Sequence, residues 1–264
     1  MDTAESKSFI SISSQPATIK RLSVPIVLIH GWGCDSKIWQ PLLPFLSEWV
    51  DVLTVDIRYS EVSVDVLAEH IVTALPERFI LCGWSLGGML ATRIAADFSE
   101  KASGLICLST NLSFVEKPSW PTALPSKTFE QFYTVFDKNA NKGLKRFLLL
   151  ESHGDQSSKQ QLQWLQQLQD ESDLDLQSLL LGLKLLAGID NSRCLSKIAC
   201  PGLHLFGQND ALVPLKAVTL IEKMLNKNQQ CVVFFDKGHV LHYPLNTIEN
   251  ELISFLSKVD VVYD

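Results

Sequence analysis

A chain of 264 residues, 46% hydrophobic and 20% charged, has the composition of a globular protein with a substantial core, and this excludes a disordered or fibrous polymer. Its formal net charge of −6 argues against a general nucleic-acid binder, and no apolar stretch approaches the roughly 20 residues of a membrane-spanning helix. Polar Met1–Lys7 offers no apolar signal-peptide core, and the cysteines at 34, 82, 107, 194, 200 and 231 form neither a C-x-x-C pair nor a zinc-like spacing. Cys82, Cys107 and Cys231 fall in apolar runs and are expected as buried thiols. The expectation is a cytoplasmic protein that needs no metal and no cofactor.

In chain order, Ser8–Ser13 alternates at period two and predicts an edge strand. Pro25 introduces Ile26-Val27-Leu28-Ile29, a continuous β-branched run that suits a strand buried on both faces and that exits into His30-Gly31-Trp32-Gly33. Ile38–Leu46 predicts a short helix, with Asp35 and Ser36 as cap residues. Val52–Asp56 is the next strand, Ser63–Leu75 a helix and Phe79–Trp84 a strand. Met89–Ala96 is helix-compatible, and Leu105–Ser109 is a further buried strand.

Alternation then stops. Phe129–Phe136, Lys142–Leu150, Lys159–Gln169 and Asp175–Leu186 read as helices, and residues 112–190 hold no convincing strand. The Gln-rich stretch at 160–169 carries Leu162, Leu165 and Leu168 and predicts an amphipathic surface helix. Alternation resumes with strand 202–206, helix Pro214–Leu225, strand 231–235 and a final helix from about Asn246 to Leu256. The pattern predicts an α/β fold, a mostly parallel sheet flanked by helices. Residues 1–111 and 191–264 form its core, and 112–190 form a helical insertion.

The chemistry centres on Gly83-Trp84-Ser85-Leu86-Gly87, a G-x-S-x-G pattern between strand and helix. Such a turn pushes the Ser85 hydroxyl clear of the backbone, and the following helix aims free N–H groups at it. A serine needs a base, and the base needs an orienting acid, in the chain order Ser, Asp or Glu, His. Asp210, in Gly207-Gln208-Asn209-Asp210, and His239, in Lys237-Gly238-His239, both follow strands directly. Groups beyond the carboxyl ends of parallel strands converge. Asp236 is too close to His239 to orient it, His204 sits mid-strand, and His242, His153 and His70 have weaker positions. The expected oxyanion donors are the backbone N–H groups of Leu86 and Trp32, with His30 shaping its loop through hydrogen bonds.

These motifs, in this order, resemble the α/β-hydrolase family over nearly the whole chain. More narrowly, the chain resembles the pimeloyl-acyl-carrier-protein methyl ester esterases of biotin synthesis. That likeness rests on His30–Gly33 and Gly83–Gly88, and extends through Ser119-Trp120-Pro121, Arg146–Leu150, and Leu183–Leu186 with Asp190. The resemblance implies cleavage of a methyl ester on a pimeloyl chain carried by acyl carrier protein. Ser85 would be the nucleophile, His239 the base and acid, and Asp210 the orienting carboxylate. Trp32, Ser85 and Leu86 would line the ester site, with Phe147, Leu148, Leu149, Leu150 and Glu151 as the insertion-side wall. Where many relatives carry a glycine-rich loop, this chain has Ile57-Arg58-Tyr59-Ser60-Glu61, which changes the wall near the entrance.

An acidic carrier needs a basic landing site. Lys138, Lys142, Lys145 and Arg146 would share one face if their helix were continuous, and Lys159 would extend it, so Lys142, Arg146 and Lys159 are the candidate docking residues. The remaining partner expectations are no nucleic acid, no membrane and a monomer. The alternatives to the carrier-linked ester are another small-molecule carboxylesterase or thioesterase of this fold, and a catalytically silent binding protein.

Overall fold

The computed structural model describes residues 9–19 and 22–259, so Ser8 of the predicted edge strand and the Met1–Lys7 segment lie outside the described residues. Seven strands make one sheet: β1 (Ile10–Gln15), β2 (Ile26–Ile29), β3 (Val52–Ile57), β4 (Phe79–Trp84), β5 (Ala102–Leu108), β6 (Gly202–Gly207) and β7 (Gln229–Phe234). Their order is β1-β3-β2-β4-β5-β6-β7, with β1 antiparallel to β3 and every other pairing parallel. The winding direction reverses between β2 and β4, and such a switch point opens a crevice beyond the strand ends.

Strand composition follows position in the sheet. Every residue of β2, β4 and β5 is buried, because layers cover both faces, whereas β1 at the edge alternates between half-buried and exposed residues. Neighbouring residues within a strand feed opposite cores. Val27, Ile29, Leu81 and Leu105 pack on one side, and Ile26, Leu28, Ile80, Cys82 and Ile106 on the other. Cys82 and Cys107 are buried, but Cys231 is only partly covered because β7 is the opposite sheet edge.

The expected helix over Ile38–Leu46 is broken. A 3₁₀ turn, Ser36–Trp39, is capped by Asp35 accepting from the Lys37 N–H, and a separate helix α1 covers only Leu43–Leu46. Pro41 and Pro44 lack the N–H groups that one continuous helix would require. Helix α2 (Val64–Thr73) starts at Ser63, whose hydroxyl accepts from the Val66 N–H. Helix α3 (Leu86–Asp97) follows β4 without an intervening residue other than Ser85.

Between β5 and β6 the chain forms α4 (Ser126–Lys138), α5 (Ala140–Ser152), α6 (Ser158–Asp170) and α7 (Leu176–Gly188). The Gln-rich α6 buries Gln161, Leu165 and Leu168 and turns its other glutamines outward, apart from half-covered Gln169. Helices α8 (Leu215–Met224) and α9 (Glu249–Val259) complete the chain, α9 beginning three residues later than its hydrophobic pattern suggests. The α4–α5 junction corrects the expected continuous basic face. Asn139 adopts φ −156° and ψ 89° and caps α5 by accepting from the Lys142 N–H, so Lys138 belongs to another helix.

Candidate active site

Ser85 stands at the switch point with φ 55° and ψ −117°, outside the regions that side-chain-bearing residues ordinarily occupy. Packing on either side imposes this turn. A side chain at Gly83 would collide with the Gly87 carbonyl, and one at Gly87 with the Ile29 carbonyl, so strand, helix and the β2 exit touch through backbone. The first intrahelical bond of α3 runs from the Met89 N–H to the Ser85 carbonyl, which leaves the N–H groups of Leu86, Gly87 and Gly88 ahead of it. Leu86 therefore carries a free donor by position.

The loop after β2 lies against this turn. A Cβ at Gly31 would stand 2.8 Å from Trp84 Cε3 and 3.4 Å from Ser85 Cβ. His30 is buried and accepts from the Ile57 N–H at Nε2 (3.1 Å), so its Nδ1 carries the proton and donates to the Gly31 carbonyl (2.7 Å). Burial holds its pKa down, and the neutral ring ties β3 to the loop. Trp32 donates through Nε1 to the Leu179 carbonyl of α7 (2.9 Å), and its ring meets Phe147 edge-on at 4.8 Å and Phe136 at 5.3 Å. Tyr59, in the loop after β3, donates its N–H to Ser178 Oγ and packs against Gly182, where a Cβ would come within 2.7 Å of the Tyr59 ring. The short turn after β3 thus docks onto α7.

Asp210 and His239 meet directly. His239 Nδ1 and Asp210 Oδ2 lie 2.7 Å apart, both side chains buried. A carboxylate only accepts, so Nδ1 donates and Nε2 of the neutral ring is left as the basic nitrogen. Asp210 Oδ1 accepts from the N–H groups of Leu212 (2.7 Å) and Val213 (2.9 Å), which fixes the carboxylate plane. Trp84, the residue before Ser85, donates through Nε1 to the His239 carbonyl (3.0 Å), and the two rings lie 5.4 Å apart. Among the described residues His239 Nε2 makes no hydrogen bond, so the Ser85 hydroxyl and the imidazole are not joined.

The other histidines fall elsewhere. His242 is buried among Trp39, Trp84 and Trp164, where burial and then neighbouring His239 lower its pKa to about 3. His204 is buried within β6, and burial lowers its pKa to about 4. Asp236 is exposed at a turn of φ 55°, and Asp210 rather than Asp236 bonds His239. Trp84 and Trp120 are core residues, Trp120 donating to Asn111 Oδ1.

The five-residue wall expected from 147–151 resolves by helical geometry. Consecutive residues on a helix cannot share a face, whereas i and i+4 can. Phe147 and Glu151 are buried together on the face of α5 that meets the Trp32 loop, with Leu150 half-covered at its flank. Leu148 packs instead in the cluster containing Leu165 and Leu168 of α6, and Leu149 is 55% exposed. Residues 147–151 therefore divide between more than one face of α5. Lys142, Lys145 and Arg146 are exposed on α5, and Lys159 is exposed on α6.

A clamp not anticipated from the sequence joins the α5–α6 loop to both loops that carry the acid and the histidine. Asn209 Nδ2 donates to the Gly154 carbonyl (3.1 Å), and Gly238 packs so tightly on the His153 carbonyl that no side chain would fit. Lys237 lies 3.5 Å from the buried Asp155 carboxylate. Glycines at 154 and 238 were the available signal, but their contacts cross between distant segments.

Residues 26–245 match the model of the alpha/beta hydrolase family. The chain is 35% identical to the biotin biosynthesis bifunctional protein BioHC of Cellvibrio japonicus over 226 residues, 83% of this chain but 44% of that longer protein. It is 32% identical to the pimeloyl-[acyl-carrier protein] methyl ester esterase of Wigglesworthia glossinidia brevipalpis, covering 78% of this chain and 82% of that one. A hydrolase from Oleispira antarctica superposes with a TM-score of 0.80 at 17% identity, covering 95% of both chains, a likeness of fold. Sheet order, elbow and family match agree, and the chain belongs to the alpha/beta hydrolase family.

Proposed function

We propose that this protein is a serine carboxylesterase that hydrolyses the methyl ester of pimeloyl-acyl-carrier protein in biotin synthesis. The observation that carries the chemistry is the buried 2.7 Å Asp210–His239 bond beside the strained Ser85 turn. The names of the relatives carry the substrate. Ser85 Oγ attacks the ester carbonyl while His239 Nε2 takes its proton. The tetrahedral oxyanion is held by the Leu86 and Trp32 backbone N–H groups. His239 returns the proton to the leaving methoxide, methanol departs, and Ser85 is left acylated. Water, deprotonated by His239, then releases the carboxylate and restores Ser85. Catalytic hydrogen bonds tighten as the reacting groups come together, and the Ser85–His239 bond forms in the reacting complex.

In this reading, the segment 112–190 is a helical cap over a core of 1–111 and 191–264. The protein acts as a monomer in the cytoplasm, where its six free thiols stay reduced. Among the described residues no helix is long and apolar enough to cross a membrane. The carrier docks on the outer face of α5, where Lys142 and Arg146 are exposed one turn apart and Lys159 of α6 adds a further charge.

The test is a split between substrates. Reversing Lys142 and Arg146 to glutamate is expected to raise KM for carrier-linked ester about tenfold, with kcat and the hydrolysis of a short soluble ester unchanged. Equal loss on both substrates would count against docking at α5. Cleavage of short esters by a wild type inert toward the carrier ester would favour the alternative of a general carboxylesterase of this fold.

A further inference from the structure

Glu151 closes the buried face of α5 at 1% exposure, and neither of its carboxyl oxygens has a hydrogen-bond partner. Buried polar groups without partners are rare and call for an explanation, most of all a carboxyl. Among the described residues no cation pairs with it. Asp210 faces it from the loop after β6, bonded to His239, and Cys34 faces it from the loop after β2, with Asp35 beside that thiol. Lys237, the basic group on the loop after β7, is paired with Asp155. Burial first, and then the Asp210 charge, hold the Glu151 pKa well above the usual carboxyl range.

Position gives this acid a use. Asp210 orients His239 on one side, and the loop carrying Trp32 and Cys34 touches Ser85 through Gly31 on the other. One helical turn earlier, Phe147 meets the Trp32 ring edge-on. We propose that Glu151 works as a neutral carboxylic acid at the ester site, lending its O–H to the bound ester and setting the upper pH limit of hydrolysis. This rests on the Ser85–His239–Asp210 reading. Protonated, Glu151 adds no charge and offers a donor to an ester oxygen. Ionised, it becomes a second anion beside Asp210, opposing both the tetrahedral oxyanion and the carboxylate product.

The test compares wild type with Glu151→Gln and Glu151→Leu, on a short soluble methyl ester, across the neutral and alkaline range. Gln keeps a donor and cannot ionise, whereas Leu loses the donor. The wild-type kcat/KM is expected to fall on the alkaline side. Glu151→Gln stays within about threefold of wild type at neutral pH and loses that alkaline limb, and Glu151→Leu falls about tenfold throughout. An identical alkaline limb in Glu151→Gln, or a Glu151→Leu enzyme as active as wild type, would overturn the proposal.

Thermal melting gives a readout independent of turnover. A carboxyl whose folded pKa is raised contributes stability that is complete below its unfolded pKa, near about 4.3, and is lost as pH rises through the folded value. The Tm of Glu151→Gln should therefore gain on wild type as pH rises. Parallel Tm curves would contradict a neutral Glu151. If wild type cleaves no ester at all, the proposed function falls, and the melting curves alone decide whether Glu151 is held neutral.

Discussion

Replacing Ser85 by alanine is expected to lower kcat on any ester substrate by about 10⁶-fold while leaving the fold intact. Alanine fits the same backbone turn, because what shapes that turn is the contact of Gly83 with Gly87 and of Gly87 with β2, not the hydroxyl. Among the described residues the Ser85 side chain makes no hydrogen bond whose loss would cost stability. The change therefore removes the proposed nucleophile and little else. Residual turnover would come from the oxyanion donors and substrate binding alone. The check is single-turnover and steady-state hydrolysis beside a melting curve. A variant that melts like wild type yet keeps more than about a hundredth of its rate would exclude Ser85 as the nucleophile.

Asp210→Asn should cost about 10⁴-fold in kcat with little structural change. The amide oxygen can take the place of Oδ1 and keep the Leu212 and Val213 N–H bonds, which turns the amide NH₂ toward His239 Nδ1. Two donors cannot pair. The imidazole then shifts its proton to Nε2 to present Nδ1 as acceptor, and the nitrogen meant to receive the Ser85 proton is already occupied. The predicted signature is a loss in kcat with KM nearly unchanged, measured on a short ester. A loss below about tenfold would mean that some other group orients His239.

Much of the fold was legible because buried parallel strands have a plain signature. Ile26–Ile29, Phe79–Trp84 and Leu105–Leu108 are uninterrupted apolar runs that could be nothing else at those lengths. The strand exits carrying Ser85, Asp210 and His239 were readable for the same reason, since each motif follows such a run directly. What failed was local. Prolines at 41 and 44 divided one expected helix, and Asn139 divided the basic segment that spacing alone had joined. Over residues 147–151 the helical period buries Phe147 and Glu151 and exposes Leu149.

The interactions that went unseen are long-range backbone contacts. Gly154 against Asn209, Gly238 against His153 and Tyr59 against Gly182 leave no periodic trace in the sequence. The same holds for the isolation of Glu151. The resemblance put Glu151 in the insertion-side wall, but its burial without a partner shows only once its neighbours, Asp210 and Cys34, are placed around it.

The decisive experiment incubates purified wild-type protein with pimeloyl-carrier-protein methyl ester, beside Ser85→Ala, and follows methanol and free carboxylate. Stoichiometric release of both by the wild type is expected, and none above background by the variant. Release of neither from the carrier ester, by a wild-type preparation that readily cleaves short esters, would contradict the assignment to biotin synthesis.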